Sequence, residues 1–190
     1  MSSTGITLFD SAIGPVGIAW GPHGIVGLQL PEESAEATRK RLARRHPEAI
    51  AATPRPAVED AIDAVGRLLS GEPIDLGFVA LDLDGIPDFD RWVYAAARDI
   101  PFGRTLTYGE IAKRIGEKGA ARAVGQALGS NPFPIVVPCH RVLAADGKAG
   151  GFSAHGGVET KMRILSIEKA GNGDAPALFD DLPLAVKPRR

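Results

Sequence analysis

Cysteine occurs once in the 190 residues, at position 139. A single thiol excludes an intramolecular disulfide and a thiolate-rich zinc centre, so Cys139 is either inert packing or a reagent. Aromatic residues are only 6% of the chain, and no stretch reaches the roughly 18 consecutive apolar residues of a membrane span. The segment from Met1 to Asp10 lacks the basic flank and apolar centre of a secretory signal. A cytoplasmic protein with no membrane partner is therefore expected. Histidine is scarce as well, with only His23 and His46 in the first half, and no metal or other cofactor is expected.

What is present is unevenly charged. Residues 1–85 carry 7 Lys and Arg against 12 Asp and Glu, a net of −5, whereas residues 86–170 carry 12 against 8, a net of +4. The last twenty balance at 3 against 3, which restores the overall −1. A nearly neutral protein can thus still turn a basic half toward a polyanion, although uneven surface charge alone would give the same sums.

The apolar pattern predicts an α/β chain in two parts. Val16, Ile18 and Trp20, then Val26, Leu28 and Leu30, are spaced by two around Gly21-Pro22-His23-Gly24, as a β-hairpin requires. Glu32 to His46 reads as a charged helix ended by Pro47. Pro56 to Ser70 reads as an amphipathic helix with Val58, Ala61, Ile62, Val65 and Leu69 on one face and Gly71 at its end. Leu76 to Leu83 returns to period two, and Asp82 to Pro87 reads as a linker. This gives a small N-terminal α/β domain, 1–85, a mainly helical domain, 86–170, and a flexible tail, 171–190.

In the second part, Phe89, Trp92, Val93, Ala96 and Ile100 share a helical face that Pro101 and Gly103 close. Thr107-Tyr108-Gly109-Glu110 has the Thr-x-x-Glu form of a capping box. It opens a short helix to Gly116, and a second follows from about Ala120 to Leu128. Two short helices around a glycine turn have the outline of a helix-turn-helix, a winged-helix-like arrangement, though many helical hairpins share it. The second helix is nearly smooth: Ala120, Ala121, Ala123, Gly125 and Ala127 surround one long basic side chain, Arg122. Tight helix packing explains the small residues; close approach to a DNA groove explains both the small residues and the arginine.

The chemistry is concentrated in Asn131-Pro132-Phe133-Pro134-Ile135-Val136-Val137-Pro138-Cys139-His140-Arg141. The prolines bar a helix and predict an extended approach to Cys139. A thiolate needs a base or a positive neighbour, and His140 and Arg141 are next to Cys139 in sequence. Neighbours on an extended segment point in opposite directions, so His140 would act through a water or after a turn.

Pro138-Cys139-His140-Arg141-Val142 resembles the acceptor-cysteine motif of the O6-alkylguanine-DNA alkyltransferases, also called methylated-DNA-protein-cysteine methyltransferases. The resemblance runs in family order through Phe102-Gly103, Thr107-Tyr108-Gly109-Glu110, Ala120-Ala121-Arg122-Ala123-Val124-Gly125 and Asn131-Pro132 to Glu168, covering about Phe89 to Ala170. It implies single-turnover repair, in which an alkyl group passes irreversibly from O6-alkylguanine, with O4-alkylthymine a second candidate, to Cys139. It further implies His140 as base through a bridging water, Glu168 orienting that histidine, Tyr108 donating to the departing guanine and Lys161 assisting Tyr108. Arg122 would fill the gap left by a flipped base while Ala121 and Ala123 lie in the minor groove of double-stranded DNA. Asn131 would hold the cysteine segment, with Arg141, Phe152 and Ser153 also on the substrate side. A monomer without cofactor is implied.

Departures from the family pattern fall at the pocket. Phe152 replaces a common tyrosine, and Ser153-Ala154-His155-Gly156-Gly157 is about two residues longer than in some relatives. A non-catalytic branch carries tryptophan at the acceptor position, which Cys139 argues against. Two other readings compete. A DNA-binding alkylation or redox sensor using Cys139 would need base-reading side chains on the second helix, which offers mainly Ala and Gly. A cysteine hydrolase would need a product it can hydrolyse, and a thioether is not one.

Overall fold

The computed structural model describes residues 4–145, 147, 152 and 154–170. Ser153 and the tail 171–190 lie outside the described residues. The N-terminal half is a four-stranded sheet, β1 (Gly5–Phe9), β2 (Val16–Gly21), β3 (Gly24–Gln29) and β4 (Ile50–Ala51), in the order β3-β2-β1-β4. β1 and β3 run antiparallel to β2, while β4 runs parallel to β1. Helices α1 (Ala35–Arg45) and α2 (Pro56–Leu69) complete this half.

The hairpin forms as its spacing predicts, but its phase shifts. Trp20 pairs with Ile25 and Ala19 with Gly27, so a bulge leaves Val26 without a cross-strand partner. Ile25 is consequently the buried residue, and Val26 is only half-buried. β1 was not predicted, because Ile6 and Leu8 are too short a run to stand out. A Cβ on Gly5 would lie 2.4 Å from the Trp20 ring, so only glycine lets that indole cross the strand.

α1 is capped by Ser34, which accepts from Ala37 N at 3.1 Å, and it buries only Thr38 and Leu42. α2 starts with Pro56 at its first turn and buries Val58, Ala61, Ala64, Val65, Leu68 and Leu69. Gly71 follows at φ +95°, the left-handed terminator its position predicts. Leu76 to Leu83, by contrast, forms no strand. Asp75 Oδ1 accepts from Gly77 N at 2.8 Å in a tight turn, and Arg98 takes up the carbonyls of Leu76, Gly77 and Val79 at 2.9–3.0 Å. Those acceptors are lost to a ladder, leaving one bridge, Ile25 to Leu81.

The second half contains α3 (Asp88–Arg98), β5 (Leu106–Thr107), α4 (Tyr108–Arg114), α5 (Ala121–Gly129), a 3₁₀ turn (Cys139–Arg141), β6 (Val142–Leu143) and α6 (Val158–Ile167). α3 buries Val93, Tyr94 and Ala97, while Trp92, predicted on that face, is 53% exposed. Tyr94 takes the inner position because its hydroxyl donates to Ala127 O at 3.1 Å and its ring meets Phe133 edge-on. One apolar core joins β2, β3 and α2 to α3, α4, α5 and the cysteine segment.

Candidate active site

Thr107 and Glu110 form the predicted capping box: Thr107 Oγ1 accepts from Glu110 N at 3.2 Å, and Glu110 Oε2 accepts from Thr107 N at 2.6 Å. This fixes Tyr108 at the first residue of α4. α5 packs beside α4 through Val124, Ala127 and Leu128 and leaves Arg122 exposed, with Ala121 and Ala123 half-buried. Packing accounts for Ala127, which is buried, but does not demand glycine at 125 or 129. A Cβ on Gly129 would meet nothing within 4 Å, and one on Gly125 would make only ordinary contact with the Tyr108 ring at 3.9 Å.

After α5 the chain turns rather than extends. Asn131, buried, accepts from Phe133 N through Oδ1 and donates through Nδ2 to Val137 O, both at 2.9 Å. Val137 N returns to Phe133 O at 2.8 Å, and Ile135 sits at φ +74°, a conformation costly for a β-branched residue. The extended approach is thus corrected: the prolines exclude an α-helix, yet the Asn131 amide folds the segment into a loop that enters the 3₁₀ turn at Cys139. β6 follows at once and pairs in parallel with β5, Leu106 opposite Val142 and Thr107 opposite Leu143. This short ladder brings Tyr108 and Cys139 to the same cleft.

The turn also separates the neighbours of Cys139. His140 is fully buried, with Nε2 2.9 Å from Glu168 Oε1. Arg141, expected on the substrate side, faces inward: Nε and Nη2 donate to the two Glu168 oxygens at 2.9 Å each, and Nη1 donates to Ile100 O at 2.6 Å. Burial opposes ionisation of Glu168, but His140 and Arg141 outweigh it and hold the carboxyl at about 2. Burial also keeps the His140 pKa below its ordinary value despite Glu168. At neutral pH the imidazole is therefore uncharged, and the countercharge to Glu168 is Arg141. An ionised carboxylate cannot donate, so Nε2 carries the proton and Nδ1 is left with its lone pair. Nδ1 is buried and has no protein hydrogen-bond partner.

Cys139 is 9% exposed. Burial pushes its thiol up, while the Asn131 hydrogen bond and the Lys161 ammonium pull it down without prevailing. Lys161 is completely buried on α6, donates to Val142 O at 2.6 Å and lies 5.8 Å from the Tyr108 ring centre and 6.0 Å from that of Phe152. Burial lowers its pKa to about 8, with Cys139 acting in the opposite sense. The cation nearest the thiol's chemistry is thus Lys161 and not Arg141. Tyr108 is half-buried, and its hydroxyl is pushed up by burial and then by Cys139.

Cys139 lies where two clefts meet. One, of about 540 Å³, is lined by Tyr108, Ala121, Arg122, Gly125 and Phe152. The other, of about 180 Å³, brings in Gln29, Arg41 and Arg45 from the N-terminal half together with Asn131 and Phe152. A further cavity, about 790 Å³, is behind the cysteine segment against Leu68, Arg98 and Phe102, and Cys139 is not among its described lining residues. Of the predicted residues, Cys139, Tyr108, Arg122, Ala121, Asn131 and Phe152 line the clefts, while His140, Glu168, Lys161 and Arg141 stand behind them. Sequence reasoning missed Gln29, Arg41 and Arg45, because nothing local links β3 and α1 to a segment so far along the chain.

The sequence profile of the 6-O-methylguanine DNA methyltransferase DNA-binding domain matches residues 88–170. The methylated-DNA–protein-cysteine methyltransferase of Mycobacterium bovis is 40% identical over 172 residues, which is 90% of this chain and 96% of that protein. A Mycobacterium tuberculosis homologue solved in complex with DNA superposes with a TM-score of 0.69 at 38% identity, covering 87% of this chain and 92% of that one. The O6-methylguanine-DNA methyltransferase of Pyrococcus kodakaraensis superposes with a TM-score of 0.66 at 27% identity, over 87% and 98% of the two chains. A shared acceptor motif, a shared fold and end-to-end similarity give one conclusion: the chain belongs to the methylated-DNA–protein-cysteine methyltransferase family.

Proposed function

We propose that this protein repairs DNA by moving the alkyl group of O6-alkylguanine onto Cys139, and is consumed in doing so. The observation that carries this is the placement of the single cysteine in one cleft with the half-buried Tyr108 and a nearly smooth helix. The flipped base enters the Tyr108 cleft from double-stranded DNA whose minor groove receives α5, and Arg122 occupies the gap left in the stack. Ala121 and Ala123 keep that helix surface close to the backbone. Residues 86–170 do this work, residues 1–85 form a second domain against it, and the protein acts in the cytoplasm.

The thiol proton passes to His140 Nδ1 through a bridging water, with Glu168 fixing the tautomer and Arg141 fixing Glu168. The sulfur attacks the alkyl carbon, the carbon–O6 bond breaks, and its electron pair withdraws into the guanine ring. Tyr108 supplies a proton or hydrogen bond to the departing base, and the Lys161 ammonium stabilises the phenolate side of that exchange. Asn131 holds Cys139 at the corner, and Phe152 gives the alkyl group an apolar wall.

A thioether has no hydrolytic exit, so one protein should repair one lesion. Mass spectrometry after incubation with duplex DNA containing O6-methylguanine should find one added methyl, on the Cys139 peptide alone, and none in Cys139→Ser. Several lesions repaired per molecule, or methyl on another residue, would overturn the reading.

A further inference from the structure

The acidic half of the chain gathers its positive charge into one element. α1 holds five of the seven cations of residues 1–85, Arg39, Lys40, Arg41, Arg44 and Arg45, and one of their twelve acids, Glu36. All five cations are exposed, and the helix buries only Thr38 and Leu42. Lys40 is paired with Glu36 at 3.5 Å and Arg41 with Glu32 at 3.2 Å. Arg44 and Arg45 have no carboxylate within ion-pair distance among the described residues, and the one hydrogen bond of Arg45 is a long 3.5 Å contact to Gln29 Oε1. Like charges also stand one turn apart, Lys40 with Arg44 and Arg41 with Arg45, which works against the helix. The carbonyl end of α1 favours a cation in its last turn, but that effect has no bearing on what the side chains face.

What they face is the reactive side of the molecule. Arg41 and Arg45 line the small cleft beside Cys139, and so do Gly129 and Ser130 at the carbonyl end of α5. Gly129, Cys139 and Phe152 are common to this cleft and to that of Tyr108 and Arg122. The cations of α1 therefore continue, past the last residue of α5, the surface that begins at Arg122. Arg44 extends it along α1, in a shallow groove shared with Lys40, Arg41, Glu32 and Glu33. Arg39 is on the other flank, in a separate groove with Ile6, Leu8 and Ala51. A duplex that receives α5 in its minor groove carries a phosphate strand along each side of that helix, with one negative charge per roughly 1.7 Å of axis.

We propose that the C-terminal half of α1 is a second DNA-contacting surface, on which Arg44 and Arg45, with Arg41 beside them, hold the phosphate backbone where the duplex passes the end of α5. This rests on the alkyl-transfer reading and deepens it by giving the N-terminal half a part in holding the substrate. Phosphate contacts position a duplex and carry no information about its bases. They act on binding and leave the transfer step alone.

The experiment measures, for the full chain, the affinity for an unmodified duplex against salt by fluorescence anisotropy, and the rate of methyl transfer from a saturating duplex containing O6-methylguanine. Arg44→Gln/Arg45→Gln should weaken binding about tenfold or more at about 0.1 M salt and lower the slope of log Kd against log salt by about 2, while transfer at saturation changes by less than about twofold. Arg44→Lys/Arg45→Lys should keep the wild-type slope, because the contact needs the charge. Arg39→Gln removes a charge from the other flank and should leave the slope unchanged. Arg44→Gln and Arg45→Gln singly should each give about half the slope change, which keeps the test open should the double variant fail to fold. An unchanged slope in the glutamine variants overturns the proposal. So does an equal change per charge in Arg39→Gln, which would make α1 a source of net charge and not a contact, or a slope lost in the lysine variant as well, which would assign the arginines to the fold. A wild type that binds no duplex, or transfers no methyl group, fails the alkyl-transfer reading first; one that binds and transfers while the glutamine variants keep its affinity fails this proposal alone.

Discussion

The imidazole of His140 is held by an acceptor with no proton to give, and this decides how the nucleophile rests. With Cys139 pushed up and His140 pushed down by burial, the two rest as neutral thiol and neutral imidazole, not as thiolate and imidazolium. The proton then moves during attack, when an alkyl carbon is present to receive the sulfur electrons. The difference in thiolate absorbance between wild type and Cys139→Ser should therefore be absent at pH 7 and rise only above the ordinary thiol range. A thiolate already formed in the free protein at neutral pH would mean that something other than this geometry activates it. Sequence alone pointed the other way, by making Arg141 a positive neighbour of the sulfur. Adjacency along the chain says nothing about direction, and the 3₁₀ turn sends that guanidinium to Glu168.

Elements whose signals are local were legible in the sequence, and those decided by distant partners were not. The capping box of α4, the proline start of α2 and the glycine after it depend on residues three or four positions apart, and each forms as read. The phase of β3 depends on a bulge opposite β2, and the fate of Leu76–Leu83 on Arg98 in another helix. α5 lies between these cases: its span was legible, but the reason for its small residues was not. Open space over Gly129 and ordinary contact at Gly125 remove the packing explanation at those two positions, though not at buried Ala127, and leave the outer surface around Arg122 as the one to test. Arg122→Ala should slow repair in duplex DNA about tenfold or more while changing reaction with free O6-methylguanine by less than about twofold, since only the duplex has a stack to refill. Equal losses on the two substrates would make Arg122 a structural residue.

At the scale of the molecule, the acid side of the stability curve should reveal the buried relay. His140 and His46 are kept below their ordinary 6.5 by burial, so the unfolded chain takes up their protons first and stability falls as pH drops below that value. Glu168 is depressed from 4.5 to about 2, so its contribution is complete above 4.5 and is lost as pH falls toward 2. Urea unfolding against pH should show both stages. Glu168→Gln should shrink the second, leaving the smaller part that Glu110 contributes through Thr107, and cost about 3–5 kcal/mol at neutral pH, because it leaves Arg141 buried without its partner. An unchanged neutral stability and acid profile in that variant would show that the carboxylate is not a keystone of the fold. The pairing of β5 with β6 has a different kind of consequence. Two rungs tie the residue before Tyr108 to the strand after Cys139, so the spacing between proton donor and nucleophile is set by backbone register and not by the loop that follows. Chain inserted after Ala144 can lengthen or reshape the wall of the pocket without disturbing that spacing. The protein can thus vary what it admits while its reacting atoms stay in alignment.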